Sequence, residues 1–76
     1  MYDYLELRLL IIRQFENLSK FCEKTGINFQ ALSHTMKNGK AMSAATIEKI
    51  AGELGIPEED YGKYFFAKRV VKINAD

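Results

Sequence analysis

Residues 17–39, NLSKFCEKTGINFQALSHTMKNG, decide how the rest of this chain is read, because they encode two short helices joined by one tight turn. Asn17 is a good N-cap, and after it Leu18, Phe21, Cys22 and Thr25 fall at i, i+3, i+4 and i+7, one mostly apolar helical stripe. Gly26 can take the left-handed conformation that ends a helix, Ile27 offers an apolar plug, and Asn28 supplies a second N-cap. A second helix then starts at Phe29. Leu32 and Met36 share one face of it with Ala31 beside them, whereas Gln30, Ser33, His34 and Lys37 fall largely elsewhere, so this helix presents a polar face.

On the C-terminal side, Asn38, Gly39 and Lys40 form the loop leaving the second helix, where Gly39 reverses the chain at little steric cost. Exposed backbone amides there, with Lys40, suit a phosphate. Ser43 caps a further helix in which Ile47, Ile50, Ala51 and Leu54 again fall at i, i+3, i+4 and i+7, and Gly55 closes it. Ile56 and Pro57 stop that helix and start a short one through Glu58, Glu59 and Asp60, acids favoured at a helix N-terminus, which ends near Gly62 or Lys63. Tyr64, Phe65 and Phe66 read as closing the core over the first helix of the chain. Their interleaving with Lys63, Lys68 and Arg69 also matches a stacking platform for single strands, the weaker of the two readings. Arg69 to Ile73 is β-branched and reads either as a short strand pairing across a dimer axis or as a tail with two apolar anchors.

On the N-terminal side, residues 3–16 hold Tyr4, Leu5, Leu7, Leu9, Leu10, Ile11, Ile12 and Phe15, too many apolar positions for one narrow stripe. Asp3 as N-cap, with Glu6 at capping-box spacing, predicts a helix. The alternation Leu5, Leu7, Leu9, Ile11 would also suit a strand. As a helix, this segment has a second apolar side that the C-terminal segment or another subunit must cover.

Seventy-six residues make one domain, and a chain of this size buries only about 60% of the surface its unfolded form exposes. With one cysteine there is no internal disulfide, so dimerisation is the expected support, and a lone thiol fits a reducing, cytoplasmic compartment. No apolar run reaches the roughly 18 residues of a membrane span, and the start MYDYLELRLLII has no basic region of a signal peptide. The net charge of +1 is weak for a nucleic-acid binder, but its distribution is uneven. Residues 17–49 carry five lysines (Lys20, Lys24, Lys37, Lys40, Lys49) against Glu23 and Glu48, a local +3. Residues 50–66 carry Glu53, Glu58, Glu59 and Asp60 against Lys63, a local −3. Such a dipole can orient a protein on a polyanion.

Little in the chain points to catalysis. His34 and Cys22 are the only residues of their types and lie on different helices, so neither a metal site nor a cofactor is expected. Cys22 falls on the apolar stripe, where a thiol is usually a small inert hydrophobe rather than a nucleophile. The acids at 58–60 are adjacent rather than facing across a cleft, and the glycines at 26, 39, 52, 55 and 62 are scattered rather than forming a phosphate cradle. A binding protein, not an enzyme, is the expectation.

The two-helix spacing with Gly26 in the turn, the NGK run at Asn38 to Lys40, the helix from Ser43 and the ending YGKYFFAKRVVKI together resemble the small phage Cro-like, Xre-type helix-turn-helix repressors, over nearly the whole chain. Leu18 stands where that family often has a phosphate-touching Gln, Cys22 where it has a small Ala, and Thr35 where an aliphatic residue is common, with Met36 next to it able to supply the core contact. The resemblance implies an all-α, five-helix, lambda-repressor-like domain with a short C-terminal strand or tail. Its motif would run over about 17–38, with a dimerisation or packing segment over about 64–76. It further implies a homodimer that occupies operator double-stranded DNA and regulates transcription.

In that family the second motif helix enters the major groove, which would bring Phe29, Gln30, Ser33 and His34 to base edges. Gln30 would make two hydrogen bonds to adenine, Phe29 would pack on a thymine methyl, and His34 would donate to guanine N7 or to a phosphate. Lys20, Lys37, Asn38 and Lys40 would hold phosphates and set register. The alternative is a helix-turn-helix module that binds a partner repressor protein and modulates it. Leu18 in place of Gln, the weak net charge and the apolar excess of the first helix all favour that alternative.

Overall fold

The computed structural model describes residues 1–68 and is all-α. Its elements are α1 (Leu5–Phe15), α2 (Leu18–Thr25), α3 (Phe29–Lys37), α4 (Ala44–Leu54), a 3-10 turn at Glu58–Asp60 and α5 (Tyr61–Phe65). The strand-or-tail reading of Arg69 to Ile73 lies outside the described residues.

Three helices begin where side-chain chemistry says they should. Asn17 Oδ1 accepts from the Lys20 amide at 2.8 Å, Asn28 Oδ1 from the Ala31 amide at 2.8 Å, and Ser43 Oγ from the Thr46 amide at 3.2 Å. Each bond satisfies a donor that the first turn of a helix otherwise leaves orphaned. α2 stops at Gly26 and α4 at Gly55, both in the left-handed region (φ 78° and 74°), with their amides returned to Cys22 and Ala51 carbonyls.

α1 obeys different rules. The expected Asp3–Glu6 capping box does not form: Tyr4 occupies the N-cap position without a side-chain bond, and Asp3 Oδ1 instead accepts from the Leu5 amide at 3.0 Å. What holds the entrance to α1 is long-range. The Tyr2 amide donates to the Gly39 carbonyl (2.9 Å), the Asp3 amide to the Ala67 carbonyl (2.7 Å), and the Tyr4 hydroxyl to the Lys40 carbonyl (2.5 Å). At the far end, Glu16 has φ 76°, the one non-glycine residue with positive φ among those described.

The core joins all five helices. Leu7 and Ile11 of α1, Phe21 and Cys22 of α2, Leu32 and Met36 of α3, Ile47, Ile50, Ala51 and Leu54 of α4, and Phe65 of α5 are buried, together with Tyr4 and Ile56. The Phe15 and Phe21 rings meet edge to face at 5.1 Å, joining α1 to α2. Gln14 Nε2 reaches the Leu54 carbonyl at 3.1 Å, so α1 also satisfies the C-terminal end of α4. Of the three consecutive aromatics, Phe65 is fully buried and Tyr64 half-buried. Phe66 does not enter the core; it is exposed and rests edge-on against Tyr2 at 6.1 Å. The lysines interleaved with these rings are engaged inside the molecule, Lys63 over Tyr64 and Lys68 over Tyr2.

Candidate nucleic-acid interface

The buried stripe of α3, Leu32 and Met36, fixes which of its residues face outward. Gln30, His34, Lys37 and Phe29 are exposed and Ser33 is half-buried. The structure divides the four expected base-reading residues between two surfaces. Phe29 and Ser33, with Lys37 one further turn on, line a groove of about 660 Å³ whose opposite wall is α1, through Leu5, Arg8 and Ile12. Gln30 and His34 lie outside that groove on the open side of the helix.

Hydrogen bonding sets what each polar group can still do. The Asn38 Nδ2 donates to the His34 carbonyl at 2.8 Å and lies 3.1 Å from His34 Nδ1. An amide NH₂ beside Nδ1 suits the tautomer in which that nitrogen accepts and Nε2 carries the proton. The same contacts engage the Asn38 amide, which is therefore not free to reach a phosphate without releasing His34.

The loop after α3 is built differently from the expected open cradle of amides. The Asn38, Gly39 and Lys40 amides donate to the carbonyls of His34, Met36 and Thr35, at 3.0, 3.4 and 3.0 Å. Gly39 is buried beneath the N-terminal residues. Its φ is +63°, and a Cβ placed there would stand 2.7 Å from the Tyr2 carbonyl oxygen and overlap the Met1 side chain. The loop's backbone is thus closed, and what it offers to solvent is the Lys40 side chain and the Asn38 amide already engaged by His34.

Among the lysines, Lys20 Nζ is paired with Glu16 at 2.5 Å, an exposed i,i+4 contact that a phosphate would have to displace. Lys37 and Lys40 form no ion pair among the described residues. Arg8, which the sequence reading passed over as part of an apolar helix, lines the same groove as Lys37. The signal for it was present: Leu7 and Ile11 define the core side of α1, which turns Leu5, Arg8 and Ile12 outward. Cys22 is buried within α2, and burial pushes its thiol above the usual range, away from the reactive thiolate form. No protein-family model matches this sequence, and no curated protein matches it.

Proposed function

We propose that the chain is a sequence-specific double-stranded-DNA-binding regulator of transcription, a Cro-like helix-turn-helix repressor that acts as a homodimer by occupying its operator. The observation that carries this reading is the open face of α3, where Gln30 and His34 are exposed on the same helix as Lys37, which forms no ion pair among the described residues, with Lys40 in the following loop. Donors and acceptors on a helix of this length, flanked by cations, match the edge pattern of a major groove bordered by phosphates. Gly26 and Asn28 support it by setting a short turn between α2 and α3, the spacing the motif requires. Gln30 and His34 read bases. Lys37 and Lys40 set register, and Arg8 joins them on the far wall of the groove.

Selection of bound duplexes from a random double-stranded pool, at low and at near-physiological salt, tests the proposal. An enriched inverted repeat that survives the higher salt is the expected result. Unselective binding that vanishes with salt would reduce the interaction to its generic phosphate component and defeat the reading. One feature favours a second reading, a module that binds a partner repressor: the groove walls carry Leu5, Ile12 and Phe29, all exposed. Absence of DNA binding even at low salt would select it.

A further inference from the structure

Among the described residues, nothing covers one apolar stripe of α1. Leu5, Leu9 and Ile12, at i, i+4 and i+7, are 55%, 45% and 44% exposed, while Leu7 and Ile11 on the other side are buried. Beside that stripe stand Glu6 and Arg13, seven residues apart and roughly 90° round the helix from Leu5. Both are exposed, and neither has an ion-pair partner among the described residues. They occupy the flank turned away from α3, since the groove is lined from α1 by Leu5, Arg8, Ile11 and Ile12 and by neither of them.

We infer that this stripe is the dimer seam, and that its occupant is α1 of a second copy, paired antiparallel about a two-fold axis. The charge pattern is what selects a copy of the same chain. In an antiparallel pair like flank meets like flank, so Glu6 of one chain faces Arg13 of the other, and the reverse contact follows by symmetry. The midpoint of the Glu6 to Arg13 interval falls between Leu9 and Leu10, within one residue of the midpoint of the Leu5 to Ile12 stripe. One axis therefore satisfies both the apolar contact and the two ion pairs. A parallel pairing would put like flanks on opposite sides of the seam, separating Glu6 from Arg13 of the other chain and the two copies of α3 from each other.

The same rule places the reading surfaces. α3 lies on the Arg8 flank of each α1, and like flanks meet, so both copies of α3 come to one side of the dimer. Half-sites related by a two-fold axis require that arrangement. An 11-residue helix is only about 16 Å long, which supplies less than the roughly 800 Å² per partner of a standard stable interface. The free protein should therefore dimerise weakly and reversibly, and adjacent half-sites on one duplex should tighten the pair through effective concentration.

This inference rests on the homodimeric form of the proposed regulator. Its test uses no DNA, so a failure here and a failure of DNA reading are separate results. Sedimentation equilibrium of the full 76-residue chain at low salt should show a monomer–dimer equilibrium. Glu6→Arg makes the flank wholly basic and Arg13→Glu makes it wholly acidic, and each should raise the dissociation constant by about tenfold, an effect that shrinks with salt. An equimolar mixture of the two variants should associate again, as should the chain carrying both changes. Both positions are exposed and have no ion-pair partner among the described residues, so circular dichroism should show unchanged folding. Variants that dimerise like the parent would overturn the proposal. A parent that stays monomeric at all concentrations would do so too, leaving the stripe to residues 69–76 or to another protein.

Discussion

α3 and α1 form opposite walls of one groove, yet their outward faces differ in chemistry and the two helices differ in how they are held. α3 is capped locally by Asn28, and Gln30, His34 and Lys37 lie outward on it. α1 has no side-chain cap, turns Leu5, Leu9 and Ile12 outward, and enters through contacts that span more than thirty residues of sequence. One helix is specified by its neighbours in sequence, and the other by the fold around it. Removing a local cap from α3 should therefore cost a fixed, modest amount, while disturbing the anchorage of α1 should cost much more.

The largest effect is expected at Gly39, where the α3 exit and the α1 entrance meet. Gly39→Ala forces a side chain into left-handed backbone and drives its Cβ into the Tyr2 carbonyl, so it should destabilise the fold by about 2–4 kcal/mol. Gly52→Ala is the control. Gly52 lies within α4 with open space where a Cβ would go, and alanine there should add roughly 0.5–1 kcal/mol of stability. Urea unfolding midpoints compare the two directly, and equal effects would mean that the α1 entrance is not anchored at this loop.

On the α3 side, the greatest functional loss is expected at Gln30. Gln30→Ala should cost about 1–3 kcal/mol of specific DNA binding and relax the preference at one base pair. Its side chain has no partner among the described residues, so thermal unfolding should not move. Retained preference across all base pairs, measured by competition with singly substituted operators, would remove Gln30 from the reading face.

Capping offers a finer contrast. Asn28→Ala deletes the bond to the Ala31 amide and should cost about 1 kcal/mol. Asp3→Ala should cost less than about half of that, because its carboxylate meets only the Leu5 amide in an exposed turn, while Tyr2, Asp3 and Tyr4 hold α1 through other groups. The reverse order in urea titrations would show that α1 is capped locally after all.

This contrast explains what could be seen in the sequence. The starts of α2, α3 and α4 and the stops at Gly26 and Gly55 were legible because a cap is a matter of one residue type at one offset. The start of α1 was misread because Asp3 and Glu6 have the right spacing, but the Tyr2 and Asp3 amides and the Tyr4 hydroxyl are committed to Gly39, Ala67 and Lys40, pairings that no local pattern encodes. The same limit applies to the interface. The outward register of α3 followed from Leu32 and Met36, whereas the separation of Phe29 and Ser33 from Gln30 and His34 depends on where α1 lies. The burial of Gly39 likewise depends on the N-terminal residues that cover it.

The smallest expected effect is at the junction between α1 and α2, where Glu16 has positive φ and also pairs with Lys20. A β-carbon in that conformation costs about 1 kcal/mol or more, while an exposed i,i+4 ion pair is worth roughly 0.3–0.5 kcal/mol. Backbone relief should win, so Glu16→Gly should stabilise the protein by a few tenths of a kcal/mol after the added entropy of glycine in the unfolded chain. Glu16→Ala removes the carboxylate without relieving the backbone and should be slightly destabilising. Both variants release the Lys20 ammonium. If Lys20 then reaches a phosphate, the dependence of log K on log salt should steepen by about one unit in both variants, whatever their opposite effects on stability. A salt slope unchanged in both would take Lys20 out of the DNA interface and place the phosphate contacts of this face on Lys37, Lys40 and Arg8.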